Sequence, residues 1–354
     1  MSRRGHRLWL ACCEGSRLQQ EAEQARIAVL PYSVSGYFHP TIVLRLRKFI
    51  SDHKVEIIHC QVSKDLATVV PAMRLSGLHV PVLLSKRIGS YVNKKDILHR
   101  FTYAHVSKVL AISTVIHKNV LDTTPMTSDR VLTLHDAVDT EKFSPERVDR
   151  RAVRAAFGLG DNIVAIGFVG RFSPGKGHEE LLNAAAALRT RYPSARYLVV
   201  GEASYGEETY ERKMKDLCHD LGLDTVVTFA GFRKDIAEVM SAFDIFAFPS
   251  HAESFGVVLI EAMAMELPVV STNCDGVLDI MVDGETGIFV NPRSSQELAN
   301  ALSRLIRDPT LRTQMGKAGR TRVKFLFDQK AHSEKLEKIY YSLVKARQEQ
   351  KIIT

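Results

Sequence analysis

Two cations sit inside a glycine-rich run, Gly170-Arg171-Phe172-Ser173-Pro174-Gly175-Lys176-Gly177, between an apolar stretch that reads as a strand and a segment that reads as a helix. Arginine offers a two-pronged donor to phosphate oxygens, lysine supplies a mobile point charge, and a helix N-terminus adds free amides. A diphosphate suits that set of groups. The spacing mimics a Gly-x4-Gly-Lys nucleotide loop, but Gly177 stands where such a loop needs a Ser or Thr hydroxyl for Mg²⁺. A P-loop ATPase or GTPase is therefore rejected. Taken alone, the run could equally be a turn whose cations face water.

A second constellation lies about eighty residues on. His251-Ala252-Glu253-Ser254-Phe255-Gly256 follows the apolar strand 245–249 and precedes a helix over 257–264 that carries Glu261. Eight residues separate the two glutamates, so they suit different portions of one extended ligand better than a close pair. Each carboxylate can accept two hydroxyl hydrogen bonds, as a ribose or hexose offers. Amides of 254–257 at the helix start can meet phosphate oxygens. Glu261, set among Val, Leu, Ile, Ala and Met, is costly to bury without partners; the alternative is an exposed glutamate on a core-packed helix. Met263, Met265 and the phenylalanines around Asp244 read as packing groups. Cys274 lacks a histidine partner for nucleophilic chemistry.

These loops need a scaffold that brings strand ends together. Apolar, β-branched stretches at 8–13, 27–30, 55–59, 80–84, 106–112 and 130–134 alternate with helical segments, notably 41–53, 65–76 and 95–103. The pattern repeats with strands at 163–169, 195–200, 226–229, 245–248, 268–271 and 287–290, and helices at 178–192, 207–221, 236–242, 257–264 and 296–307. Such alternation predicts two doubly wound α/β domains with parallel sheets and crossover helices. We expect domains over 1–145 and 146–328, joined near 138–147, with a last helix over 329–354 that caps the second domain or crosses back to the first. Ligands in such sheets sit at the strand C-terminal ends, and two domains suggest a cleft.

Charge and cysteines bound the function classes. Residues 1–135 hold 19 Lys or Arg against 9 Asp or Glu, a balance of +10, whereas the remainder holds 29 against 31. This asymmetry suits an anionic membrane surface or an acidic substrate; a merely soluble basic surface explains it as well. No zinc-finger, RNP-like or basic-zipper pattern supports nucleic acid as a partner. The five cysteines are scattered apart from Cys12-Cys13 and show no Cys-x-x-Cys spacing. That argues against structural zinc or a disulfide scaffold and for a cytoplasmic setting. Uncharged apolar runs fall short of the roughly 18 residues a spanning helix needs.

Together, Gly170-Arg171-x4-Lys176-Gly177, Glu253-x7-Glu261 and the run Glu-Ala-Met-Ala-x-x-Leu-Pro-Val-Val closely resemble the retaining glycosyltransferases of the glycogen-synthase-like and lipopolysaccharide-transferase family, family 4. The resemblance covers the whole second domain. It implies a GT-B fold, two facing Rossmann-like domains, with a nucleoside-diphosphate sugar held mostly by the second and a saccharide or lipid-linked acceptor mostly by the first. It also implies catalytic roles for Arg171 and Lys176 on the diphosphate and for Glu253 near the donor sugar. Glu261 corresponds to the carboxylate on the ribose, and Gly170, Ser254, Phe255, Gly256 and Gly276 to donor-site neighbours. No cofactor and no catalytic metal is implied, in agreement with the lack of an evident Asp-x-Asp motif. The expected product is a polysaccharide, lipopolysaccharide or lipid-linked sugar made in the cytoplasm or at the cytoplasmic face of the membrane.

The first domain departs from the family pattern. His59-Cys60-Gln61 resembles a His-x-His strand end in which Gln61 replaces the second histidine, leaving His59 and Gln61 as acceptor-side candidates. His135-Asp136-Ala137 departs from the usual Asn-Gly-Val-Asp link, and the opening Arg4-Gly5-His6 reads as though the first β-α unit of the domain were missing. A nucleotide-sugar epimerase of related fold, or a binding protein that has lost catalysis, is the alternative reading.

Overall fold

The computed structural model describes residues 1–32 and 39–353. The chain divides into two compact units, Met1–Leu134 with Ser333–Thr354, and His135–His332. Residues 138–147, the expected link, lie within the second of these.

In the first unit, strands β1 (Trp9–Cys13) and β2 (Ala28–Tyr32) form a parallel pair. A separate four-stranded parallel sheet runs β3 (Ile58–Cys60), β4 (Val82–Lys86), β5 (Val106–Ala111), β6 (Val131–Thr133) in spatial order. The helices between them are α1 (Arg17–Gln24), α2 (Pro40–Asp52), α3 (Leu66–Leu75), α4 (Ile97–Ala104) and α5 (Thr114–Thr123). Val82, Leu83 and Leu84 are fully buried, as a strand covered on both faces requires. Trp9 of β1 sets its indole edge-on against Phe49 of α2 and His53 just past it, at ring separations of 5.6 and 5.2 Å.

The second unit holds β7 (Val164–Val169), β8 (Ala195–Val200), β9 (Val227–Gly231), β10 (Ile245–Phe248), β11 (Val269–Thr272) and β12 (Gly287–Val290). All pairings are parallel, and the spatial order is β12-β11-β10-β7-β8-β9. Its helices are α6 (Arg150–Ala156), α7 (His178–Leu188), α8 (Glu208–Asp220), α9 (Ile236–Ser241), α10 (Val257–Ala264), α11 (Val277–Ile280), α12 (Ser295–Arg307) and α13 (Pro309–Leu326). Ile166, Phe168 and Val199 on the sheet pack with Leu182 of α7 and Leu298 and Leu302 of α12 in one core. The order reverses between β7 and β10, which opens a crevice at their C-terminal ends.

Helix α14 (Gln329–Ile353) begins in the second unit, and its residues from Ser333 onward belong to the first. Glu337 accepts hydrogen bonds from Arg4 and lies 2.6 Å from His6 Nε2. Tyr340 Oη sits 2.7 Å from His59 Nδ1. Where the chain returns, Val138 bridges Asp328, with Val138 N–H donating to Phe327 C=O and Gln329 N–H to Val138 C=O.

His178 is among the buried residues that break the usual rule of polar satisfaction. His178 opens α7 with 2% exposure, its ring 4.5 Å from Phe168 and 4.4 Å from Phe172. Neither ring nitrogen has a hydrogen-bond partner, and burial holds the imidazole down to about 4, hence neutral near pH 7. Phenylalanine fits the same aromatic box without the unmet polar atoms. His178→Phe is therefore expected to raise stability by about 1–3 kcal/mol, read as a later urea midpoint at unchanged slope.

Candidate active site

Three loops that leave the C-terminal ends of β7, β10 and β11 meet beside the crevice. The first is 170–177. Gly170 N–H continues the sheet by donating to Val200 C=O, and Phe172 is buried under the loop. Gly177 has φ 85°, and a Cβ there would lie 2.2 Å from Pro249 O, so only glycine lets this turn pass against the second loop. His251 N–H donates to Gly175 C=O at 2.8 Å and fixes the two loops together.

The turn aims Lys176 across the gap. Its Nζ donates to Glu253 Oε2 at 2.7 Å, both side chains being partly exposed. Arg171 points toward solvent, and its guanidinium donates to Ser204 Oγ at 3.0 Å. The ring of His251 lies 2.8 Å from the Glu180 carboxylate.

The third loop closes on the second. Glu253 N–H donates to Asp275 Oδ2 at 3.3 Å, and Gly276 N–H donates to Glu253 C=O at 3.0 Å. A Cβ on Gly276 would stand 2.2 Å from Ser254 O. The missing side chain is what allows the backbone of 253–255 to be seated. Gly256, at φ 105°, then turns the chain into α10.

Phe255 is buried and stacks on His135, rings 5.5 Å apart and 12° from parallel. His135 in turn lies 3.2 Å from Asp279 of α11, edge-on to Phe327, and its carbonyl is 2.8 Å from His332 Nδ1. His135 was legible only as a departure from a link pattern. Its stacking on the loop joins residues 120 positions apart, which no local pattern signals.

Glu261 sits on α10, largely buried. Burial pushes its carboxyl up to about 7, while the nearby Lys142 ammonium pulls it down. An unfolded glutamate ionises near 4.5, so between 4.5 and 7 the folded chain holds the extra proton and stability falls as pH rises. Glu261→Gln is expected to match the wild type below pH 4.5 and to exceed it by up to about 3 kcal/mol above pH 7, as read by urea melts across that range.

The first-unit candidates are placed differently. His59, at the end of β3, has both ring nitrogens engaged, by Tyr340 and by Ser85 Oγ at 2.8 Å, and burial lowers its pKa to about 4. Gln61 is exposed just past the strand. Among the described residues no group of three or more His, Cys, Asp or Glu side chains is placed to hold a metal ion. Within the second unit, the arrangement brings the Lys176 ammonium, the Glu253 and Asp275 carboxylates and close-packed backbone to a strand switch point. It is suited to an extended ligand with a phosphate and a hydroxylated part.

Residues 149–322 match the family described as glycosyl transferases group 1, and residues 1–142 match Glycosyltransferase Family 4. The D-inositol 3-phosphate glycosyltransferase of Saccharomonospora viridis is 37% identical over 199 residues, 54% of this chain and 46% of that protein. The GDP-mannose-dependent alpha-(1-6)-phosphatidylinositol monomannoside mannosyltransferase of Mycolicibacterium smegmatis is 28% identical over 309 residues, covering 79% and 75% of the two chains. The chain spans about half the length of the D-inositol 3-phosphate glycosyltransferases it matches. A glycosyltransferase from Rickettsia africae shares the fold at a TM-score of 0.88 with 22% identity, over 97% of this chain and 92% of that one.

Proposed function

The chain belongs to the glycosyltransferases of group 1 and family 4, with the GT-B fold, and from that premise we propose that it moves a sugar from a nucleoside-diphosphate donor to a hydroxyl of a saccharide or lipid-linked acceptor. The observation that carries this reading is the meeting of Lys176 and Glu253 at 2.7 Å, where three strand-end loops converge. The donor diphosphate takes the 170–177 loop, with Arg171 and Lys176 as its cations. Glu253 and the 254–256 backbone hold the sugar, and Glu261 holds the ribose hydroxyls.

Transfer then proceeds with retention at the anomeric carbon. The acceptor oxygen forms its bond to that carbon as the carbon–phosphate-oxygen bond breaks on the same face. The acceptor proton passes to a donor phosphate oxygen. In this reading, charge that grows on the leaving diphosphate is met by Lys176, Arg171 and the loop amides. This scheme uses no covalent enzyme nucleophile. The first unit takes the acceptor, with Gln61 near it. The phosphatidylinositol monomannoside in the name of the Mycolicibacterium smegmatis relative, together with the basic first part of the chain, supports a site of action at a membrane surface.

Calorimetry with UDP, GDP and ADP and their sugar conjugates tests the donor site. Selective micromolar binding, followed by acceptor-dependent transfer whose product keeps the donor's anomeric configuration by NMR, is expected. Sugar release or rearrangement without acceptor would favour an epimerase. Failure of the folded protein to bind any of the panel would overturn the reading.

A further inference from the structure

Sixteen large apolar side chains stand exposed among the described residues, and six of them fall between positions 88 and 101: Ile88, Tyr91, Val92, Ile97, Leu98 and Phe101. Scattered exposed hydrophobes are ordinary, but a concentration of this kind marks a contact surface. Ile88 is 73% exposed, Ile97 88%, and Tyr91 as open as in an extended chain.

The backbone beneath them is held firmly. Ser90 N–H donates to Asn119 Oδ1 at 2.7 Å, and Asn119 Nδ2 returns a bond to Ser90 C=O at 3.0 Å. Four residues on, Lys94 N–H donates to Thr123 C=O at 2.7 Å. Tyr91 and Val92 are thus pinned from both sides by α5 and presented outward. Asp96 caps α4 by accepting from Leu98 N–H and His99 N–H. The helix buries Thr102 and Tyr103 and leaves Ile97, Leu98 and Phe101, at i, i+1 and i+4, on one open face. Around these apolar groups the segment carries Arg87, Lys94, Lys95 and Arg100 against the single acid Asp96.

We infer that residues 88–101 are the surface by which the protein rests on an anionic lipid bilayer. Apolar side chains enter the headgroup boundary, and the surrounding cations meet lipid phosphates. An excess of positive charge around a mixed aromatic and aliphatic patch, within residues 1–135 whose balance is +10, is complementary to such a surface. Tyrosine, with an apolar ring and a polar tip, suits that depth. No described helix is long and apolar enough to cross a membrane, so contact through these helices is interfacial. The inference rests on the membrane-surface reading proposed above and gives it an address in the fold.

The test is co-sedimentation of the full chain with phosphatidylcholine vesicles, with and without phosphatidylglycerol, at low and high salt, beside nucleotide calorimetry on the same preparations. The wild type is expected to sediment with phosphatidylglycerol vesicles and to be released by salt. Tyr91→Ser/Ile97→Ser/Leu98→Ser should bind at least about tenfold more weakly, and Lys95→Ala/Arg100→Ala, at the exposed cations, roughly thirtyfold more weakly. Both variants should keep wild-type nucleotide affinity, since all the substituted residues belong to the first unit. Absence of vesicle binding by the wild type, or equal binding by the serine variant, overturns the inference. So does a concentration-dependent dimer that the serine variant abolishes, since a second copy then covers the face. Nucleotide binding without vesicle binding leaves the donor-site reading standing; vesicle binding without nucleotide binding removes that reading and keeps this one.

Discussion

Lys176→Ala is expected to lower kcat/KM by roughly 10²–10³, with most of the loss in the chemical step once donor is saturating. The ammonium is the charge that the 170–177 turn directs into the site, and Glu253 lies 2.7 Å from it. Removing it leaves the Glu253 carboxylate without its partner beside an incoming diphosphate, so repulsion is added to lost attraction. Two companion variants separate these effects. Lys176→Arg should recover part of the rate, and Lys176→Ala/Glu253→Ala should recover donor affinity but little turnover. Unchanged donor affinity and turnover in Lys176→Ala would remove Lys176 from the site.

The other large effect concerns stability. Arg154 is buried and donates to Ala242 C=O at 2.9 Å, Asp244 Oδ2 at 3.1 Å, Gly160 C=O at 2.9 Å and Ile163 C=O at 2.7 Å. Asp244 also accepts from Ala165 N–H at 2.8 Å, so the same carboxylate holds the start of β7. Arg154→Met fills the space but strands three carbonyls and takes one partner from the Asp244 carboxylate, which keeps Ala165 N–H and Arg150. A loss of about 3–5 kcal/mol is expected, or a fall in Tm of roughly 10 °C. Nucleotide affinity of the variant, measured well below its Tm, should match the wild type because none of Arg154's hydrogen-bond partners lies in the three loops. A shift below about 1 kcal/mol would mean that the network is solvated or replaceable.

Strands and buried helices were legible because their apolar residues recur with the period of the element. The run 163–169 becomes β7 at Val164–Val169, and 41–53 becomes α2 at Pro40–Asp52. Helix α1 gave no such signal, since Arg17–Gln24 is polar and buries only Ala22. Arg154 could not be singled out, because its acceptors are backbone carbonyls supplied by folding. The glycines were readable as a loop; that Gly177 and Gly276 serve close backbone passage appears only with Pro249 and Ser254 in place. The reading of 138–147 as a link rested on Pro145 and its charges. In the structure Phe143 C=O and Ser144 Oγ accept from buried Arg320, so the segment is built into the second unit.

The first unit takes residues from both ends of the described chain, since Glu337 and Tyr340 of α14 bind Arg4, His6 and His59. During synthesis on a ribosome, proteins usually complete their leading domain first. Here the order inverts: the trailing domain has all its parts while the leading one still waits for Tyr340 to emerge. Until then His59 lacks the Tyr340 hydroxyl, and Arg4 and His6 lack the Glu337 carboxylate.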